Sequence, residues 1–338
     1  MSPESPPEAR NFEGKNRSVG VEIEFAGLPP WETAELVRGC FGGTIHEISP
    51  HRLRVEETRW GDFLVELDTQ YAHPDEKVLH DAPKRDTEWE RQRHQMRVDF
   101  HSKTRELIGD VVTGLVPTEI VCPPVPWDEL DGLDALFTAL FARGAKGTDA
   151  SLLYGFGLHL NPEVASLDVA HIVDRLRAYL LLAEWLREEI DIDITREVLP
   201  HANPFPKDYA LKVLDPDYAP SLDDFIADYV EFNPTRNREL DLYPLLAYLR
   251  PDYPHELFSD KLVKARPTFH YRLPNAQLSQ RGWGAVTEWN RWVIVERLAA
   301  DQAALRERAA RYVSYHTQSP LVRAFKWLSD WLRRRMAS

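Results

Sequence analysis

Residues 19–25 alternate strictly, with Val19, Val21, Ile23 and Phe25 on one side and Gly20, Glu22 and Glu24 on the other. A period of two sends successive side chains to opposite faces, so the stretch reads as a half-buried strand. The same period returns in HRLRVEE and DFLVELD, which read as a hairpin turning at TRWGD. It returns again in YGFGLHLNPE, where Phe156, Leu158 and Leu160 oppose Gly157, His159 and Asn161. PTEIVCPP reads as a short strand stopped by Pro123 and Pro124, which have no N–H to give to a ladder. RPTFHYRLP is expected as the last strand, with His270 and Arg272 sharing a face, as do Arg266 and Thr268.

Helical spacing takes over between these strands. TAELVRGCF carries it, as does the stretch 127–143, which Gly144 and Gly147 end. In 166–189 Leu167, Val169, Ile172, Val173, Leu176, Tyr179, Leu180, Ala183 and Leu186 recur at i, i+3 and i+4, the signature of an amphipathic helix. SLDDFIADYV and YPLLAYLR read as shorter helices, and long ones are expected over about 285–312 and 320–335. The stretch 74–105 is polar and fits either a long loop or an exposed helix, and ELIGDVVTGL is ambiguous. Residues 191–221, rich in proline and asparagine, read as a long active-site loop or an inserted subregion.

Hairpin-like strand pairs interleaved with helices, rather than regular βαβ units, predict an α+β fold: a mainly antiparallel sheet with helices on one face. Residues 1–16 read as a short mobile tail, 17–312 as the main domain, and 313–338 as a C-terminal helix packed on or extending from it. With 43% hydrophobic residues among 338, the chain can bury a large core. A net charge of -13 argues against nucleic acid or an anionic membrane as the main partner. No stretch approaches the roughly 20 apolar residues of a membrane span, and the N-terminus lacks the basic start and apolar run of a signal peptide. Cys40 and Cys122 are the only cysteines, which suits a reducing compartment, and a cytoplasmic location is expected.

Glu22 and Glu24 project from one strand face about 7 Å apart. Their repulsion needs either solvent or a cation to relieve it. Two further acidic strands supply Glu66 with Asp68, and Glu119. If these strands are neighbours, their carboxylates converge on a surface suited to hard divalent cations; otherwise they are solvated faces. His159 reads either as a hydrogen-bonded structural residue or as a site residue. Arg266 and Arg272 fit clamps for phosphoryl or carboxylate oxygens, or simple compensation of the glutamates. Neither GxxxxGK[ST], GxGxxG nor HExxH occurs, so nucleotide binding would rest on a sheet surface and a zinc peptidase is disfavoured.

The ordered set GVEIEF, GDFLVELD, TEIVCPP, GFGLHLN and TFHYRLPN resembles the amidoligase family over about residues 17–298. The resemblance implies a glutamine-synthetase-like curved sheet and an ATP-dependent carboxylate–amine ligase working through an acyl phosphate. The alternative is a catalytically weakened ligase-like module that binds nucleotide or peptide. By the same resemblance Glu22, Glu24, Glu66, Asp68, Glu119 and His270 hold magnesium, with manganese as the other candidate. His159, Arg266 and Arg272 contact nucleotide phosphates, and Arg272, Glu66 and Glu119 serve the reaction. Small-molecule or peptide carboxylates and amines are the implied substrates. Two positions depart from the family pattern: His270 stands where a glutamate is common, and Asn161 where a second histidine is.

Overall fold

The computed structural model describes residues 1–67, 116–148, 156–191, 202–260 and 262–317. Its centre is an open sheet of nine strands, with every ladder between them antiparallel. They are β1 (Ser18–Phe25), β2 (Thr44–Ser49), β3 (Arg52–Thr58), β4 (Gly61–Leu67), β5 (Thr118–Val121), β6 (Val125–Pro126), β7 (Leu158–Pro162), β8 (Leu240–Asp241) and β9 (His270–Tyr271). The spatial order is β2-β3-β4-β5-β1-β7-β9-β8, with β6 pairing beside β1. The described residues also form eight α-helices, so the fold is α+β, as the interleaving of periods predicted.

One face of the sheet is a continuous apolar row. Leu53 lies opposite Val65, Val65 opposite Ile120, Ile120 opposite Ile23, and Ile23 opposite Leu158. Next to them Val21 faces Leu160, Leu160 faces Tyr271, and Tyr271 faces Leu240. All of these side chains are buried. Helix α1 (Pro30–Phe41) packs on this face through Phe41, whose ring stacks on Phe63 at 5.1 Å. Helix α2 (Asp134–Ala142) buries Leu136, Phe137 and Leu140 and packs against α1. Trp292, in the helix Ala285–Ala300, packs on Tyr271 with ring centroids 5.4 Å apart.

Several elements differ from the sequence expectation, each for a local reason. The last strand shrinks to His270–Tyr271 because Pro267 and Pro274 cannot donate; around it only separate bonds persist, such as Leu158 N to Pro274 O at 3.0 Å. The expected helix over 285–312 is two, Ala285–Ala300 and Gln302–Thr317, because Asp301 accepts from Ala304 N at 3.0 Å and caps a new start. Within 191–221 a short helix, Lys207–Val213, forms. Strand β2 was not foreseen: it is a mostly exposed edge with weak alternation. The stretches 74–105 and 320–335 lie outside the described residues. At the opposite end of the chain, the N-terminal stretch is held by Trp289 Nε1, which donates to Glu4 O at 2.9 Å, and by Arg17 Nη1, which donates to Glu8 O at 2.8 Å.

The chain divides into two compact units. The first, Met1–Leu167 with Trp185–Pro204 and Thr235–Val293, contains the whole sheet. The second, Asp168–Glu184 with Phe205–Pro234 and Ile294–Ser338, has its own aromatic cluster of Tyr179, Phe205, Tyr209 and Tyr229. Among the described residues no helix is long and apolar enough to cross a membrane.

Ile23 is fully buried and faces Ile120 on one side and Leu158 on the other. Ile23→Ala should therefore cost roughly 2–5 kcal/mol, the usual range for an aliphatic side chain cut to alanine in a core. Urea unfolding would show it as a lower midpoint with an unchanged slope.

Candidate functional site

The polar face of the same strands is acidic by register. Glu66 on β4 lies directly opposite Glu119 on β5, and Glu119 lies directly opposite Glu24 on β1. On the far side of Glu66 stands Arg52 of β3, whose Nε is 2.9 Å from Glu66 Oε2. A second row runs through Glu22, which lies opposite His159 on β7. His270, on β9, lies opposite Asp241 on β8. Alternation sends apolar partners to the core and leaves these polar side chains no other face.

All of them but Asp241 line one cleft of about 730 Å3. Glu22, Glu24, Glu66, Glu119, His159, Arg266, His270 and Arg272, all singled out in the sequence, are in its wall. Asp68 lies outside the described residues. Arg52, Asn161, Arg236 and Lys264 also line the cleft, and every lining residue belongs to the first unit.

Glu22 is contacted by Asn161, His159 and Arg266 of the cleft. Asn161 Nδ2 donates to its Oε1 at 2.9 Å, and His159 Nδ1 sits 3.3 Å from its Oε2. Arg266 Nη2 donates to Asn161 Oδ1 at 2.6 Å and lies 3.6 Å from Glu22 Oε1. Asn161 thus spans an arginine and a carboxylate, using both ends of its amide. Burial pushes the Glu22 carboxyl up, but the His159 hydrogen bond and the neighbouring cations outweigh it and hold the group well below the usual carboxylate range. Glu24 accepts from Gly157 N at 3.0 Å.

His270 is buried, and its Nε2 has no hydrogen-bond partner 3.7 Å from Glu22 Oε2. Burial pushes its pKa down to about 4, against the opposing pull of Asp241 and Glu22. Arg266 is a fixed cation beside Glu22. Arg272 Nη1 donates to Arg236 O at 3.0 Å, and its backbone N donates to Glu239 O at 2.8 Å. Glu239 is itself gripped by Arg187 through two bonds of 2.5 and 2.8 Å. Cys122 also lines the cleft, but burial and the Glu22 charge push its thiol far up, so it is no thiolate nucleophile.

Among the described residues two sets of side chains are close enough to share one cation: Glu22, His159 and His270, and Glu24, Glu119 and His159, each with ligand atoms within 4.8 Å of one another. The buried Nε2 of His270, without a hydrogen-bond partner and 3.7 Å from Glu22 Oε2, is a donor that such a cation would engage. The donor sets fit a divalent cation.

Asp241, Arg52 and the role of Asn161 escape the sequence reading. Arg52 could have been found by extending the hairpin register, which sets it against Glu66. Asp241 sits in a two-residue strand without periodicity of its own, so no local pattern marks it.

No curated protein and no solved structure matches the chain. A family model described as "Putative amidoligase enzyme" matches residues 15–294. That span includes all nine strands and every residue that lines the cleft. The chain belongs to the amidoligase family.

Proposed function

We propose that the protein is an ATP-dependent carboxylate–amine ligase acting through an acyl phosphate. The observation that carries this reading is the register that puts Glu66, Glu119 and Glu24 in one row beside Glu22, His159 and His270, in a cleft shared with Arg266 and Arg272. Membership of the amidoligase family supports the bond type.

In the first half-reaction a substrate carboxylate oxygen bonds to the γ-phosphorus of ATP. The bond from that phosphorus to the bridging oxygen breaks, and ADP leaves. In the second, the amine nitrogen bonds to the acyl carbon, the bond from that carbon to the phosphate oxygen breaks, and inorganic phosphate departs. Magnesium or manganese, held by Glu22, Glu24, Glu119 and His270, would neutralise triphosphate charge.

The protein's own contribution is position and charge, which is most of what phosphoryl transfer requires. Arg266 and Arg272 present guanidinium groups to phosphoryl oxygens, and Arg272 is steadied by its bond to Arg236 O. Glu66 and Glu119 receive the amine as its ammonium and take one proton before the nitrogen, now carrying a lone pair, attacks; the second proton leaves the adduct to the departing phosphate. Arg52, paired with Glu66, limits the negative charge at that end of the row.

A second reading, a ligase-derived module that binds nucleotide or peptide without turnover, draws on His270 and Asn161, where the family pattern is broken. Metal-dependent ATP binding is common to both readings, and release of phosphate with a carboxylate–amine pair separates them.

Glu22→Gln should weaken metal-dependent ATP binding by at least about tenfold, or 1.4 kcal/mol, with little change in unfolding midpoint; calorimetric titration with and without the metal measures it. Arg272→Ala should lower kcat by on the order of 100-fold while changing the Kd for ATP far less. Unaltered phosphate release in that variant would remove Arg272 from the reaction.

A further inference from the structure

The two clamp arginines have the same kind of backbone anchor. Arg272 Nη1 donates to Arg236 O at 3.0 Å, and Arg266 Nη1 donates to Lys264 O at 3.3 Å. Each guanidinium therefore holds the main chain of a further cation, and both further cations line the cleft. These positive side chains gather in one cleft of a chain whose net charge is -13. The inner pair is engaged: Arg266 binds Asn161 and lies 3.6 Å from Glu22, and Arg272 binds the Arg236 carbonyl.

The outer pair is held more loosely. Lys264 is exposed, and among the described residues its ammonium forms no ion pair. The Arg236 side chain meets Asp260, with Nη1 3.5 Å from Oδ2, which is long for a charge-assisted bond. Asp260 itself is fixed, because its Oδ1 accepts from Leu262 N at 2.9 Å. Apolar surface accompanies these cations: Leu262, Pro244 and Pro267 line the same cleft, and Arg266 N donates to Pro244 O at 3.0 Å. Acyl-phosphate formation converts the reacting carboxylate into a neutral acyl group. An acid that must stay bound through both half-reactions therefore gains from a second charged anchor.

We infer that Arg236 and Lys264 select an acyl substrate that carries a second carboxylate. It is a dicarboxylic acid whose reacting end lies at Arg266 and Arg272 and whose other end displaces Asp260 from Arg236. The guanidinium offers that carboxylate paired N–H donors, and the lysine adds a point charge. This inference rests on reading the cleft as a carboxylate–amine ligase site, but it names the class of acid taken and the residues that choose it.

The test is calorimetric titration of the full-length protein, without nucleotide, metal or amine, with straight-chain diacids from malonate to pimelate and with the half-amide of each. A half-amide keeps the length and shape of its diacid and loses one charge. At the best chain length the diacid should bind at least about tenfold tighter than its half-amide, the scale of a charge-assisted hydrogen bond. Combining Arg236→Gln with Lys264→Gln should remove that preference while leaving the Kd for ATP with magnesium unchanged. Asp260→Asn keeps an oxygen for Leu262 N and releases Arg236. It should tighten diacid binding by about two- to fivefold, the worth of a partly exposed ion pair, which a merely structural pair would not do. Equal affinity of diacid and half-amide at every length overturns the inference, as does unchanged or looser diacid binding in Asp260→Asn. A preference that survives the double variant also overturns it, and a fall in ATP affinity alongside would assign the two cations to nucleotide phosphate. Because nucleotide, metal and amine are absent, failure of the diacids leaves the ligase reading intact. Failure of every carboxylate–amine pair to turn over leaves the binding result intact.

Discussion

Like charges directly opposite each other in adjacent strands are the constraint on which the site depends. Glu66, Glu119 and Glu24 are consecutive partners across two ladders. Cross-strand neighbours stand about 5 Å apart, where two unit charges repel by about 3 kcal/mol at an effective dielectric of 20. Arg52 relieves one end of the row and Gly157 N binds Glu24 at the other. In the proposed ligase, a cation bound at this row would relieve the repulsion that remains.

What enforces the register is the opposite face. The strands β4, β5, β1 and β7 cannot slip by one residue without moving Val65, Ile120, Ile23 and Leu158 from the core into the cleft. Burial of that apolar row therefore holds the carboxylates together against their repulsion. The same coupling makes the site rigid, because each ligand candidate on these strands is flanked by core residues. Catalysis by positioning requires such a frame.

The edge of the site is less regular. Strand β9 is cut to two residues by prolines, yet it delivers His270 to the cleft and is flanked by Arg266 and Arg272. Its alignment relies on separate bonds to β7 and on the Glu239 backbone, and Glu239 is in turn locked by Arg187. The departures from the family pattern meet here as well. Asn161 joins Arg266 to Glu22, and His270 stands between Glu22 and Asp241. The chemistry at this edge is a matter of buried imidazoles, whereas the other edge is a matter of half-buried carboxylates and Arg52.

Much of this is local enough to be written in the chain. A period of two over residues 19–25 and 158–162 assigns Glu22, Glu24, His159 and Asn161 to a face, because backbone pleating leaves no alternative. Turn chemistry at TRWGD likewise sets the hairpin that carries Glu66. Strand order is another matter: nothing within PTEIV says that β5 lies between β4 and β1, and that placement is what brings Glu119 into the row. The break at Asp301, the edge strand β2 and the residue Asp241 were also beyond the reading, since a single capping side chain, a weak alternation and a two-residue strand leave no periodic trace. The sequence by itself determined which side chains share a face, since that follows from covalent geometry. Only the tertiary structure decided which faces meet, because long-range pairing is selected by burial of the whole apolar row and not by any one segment.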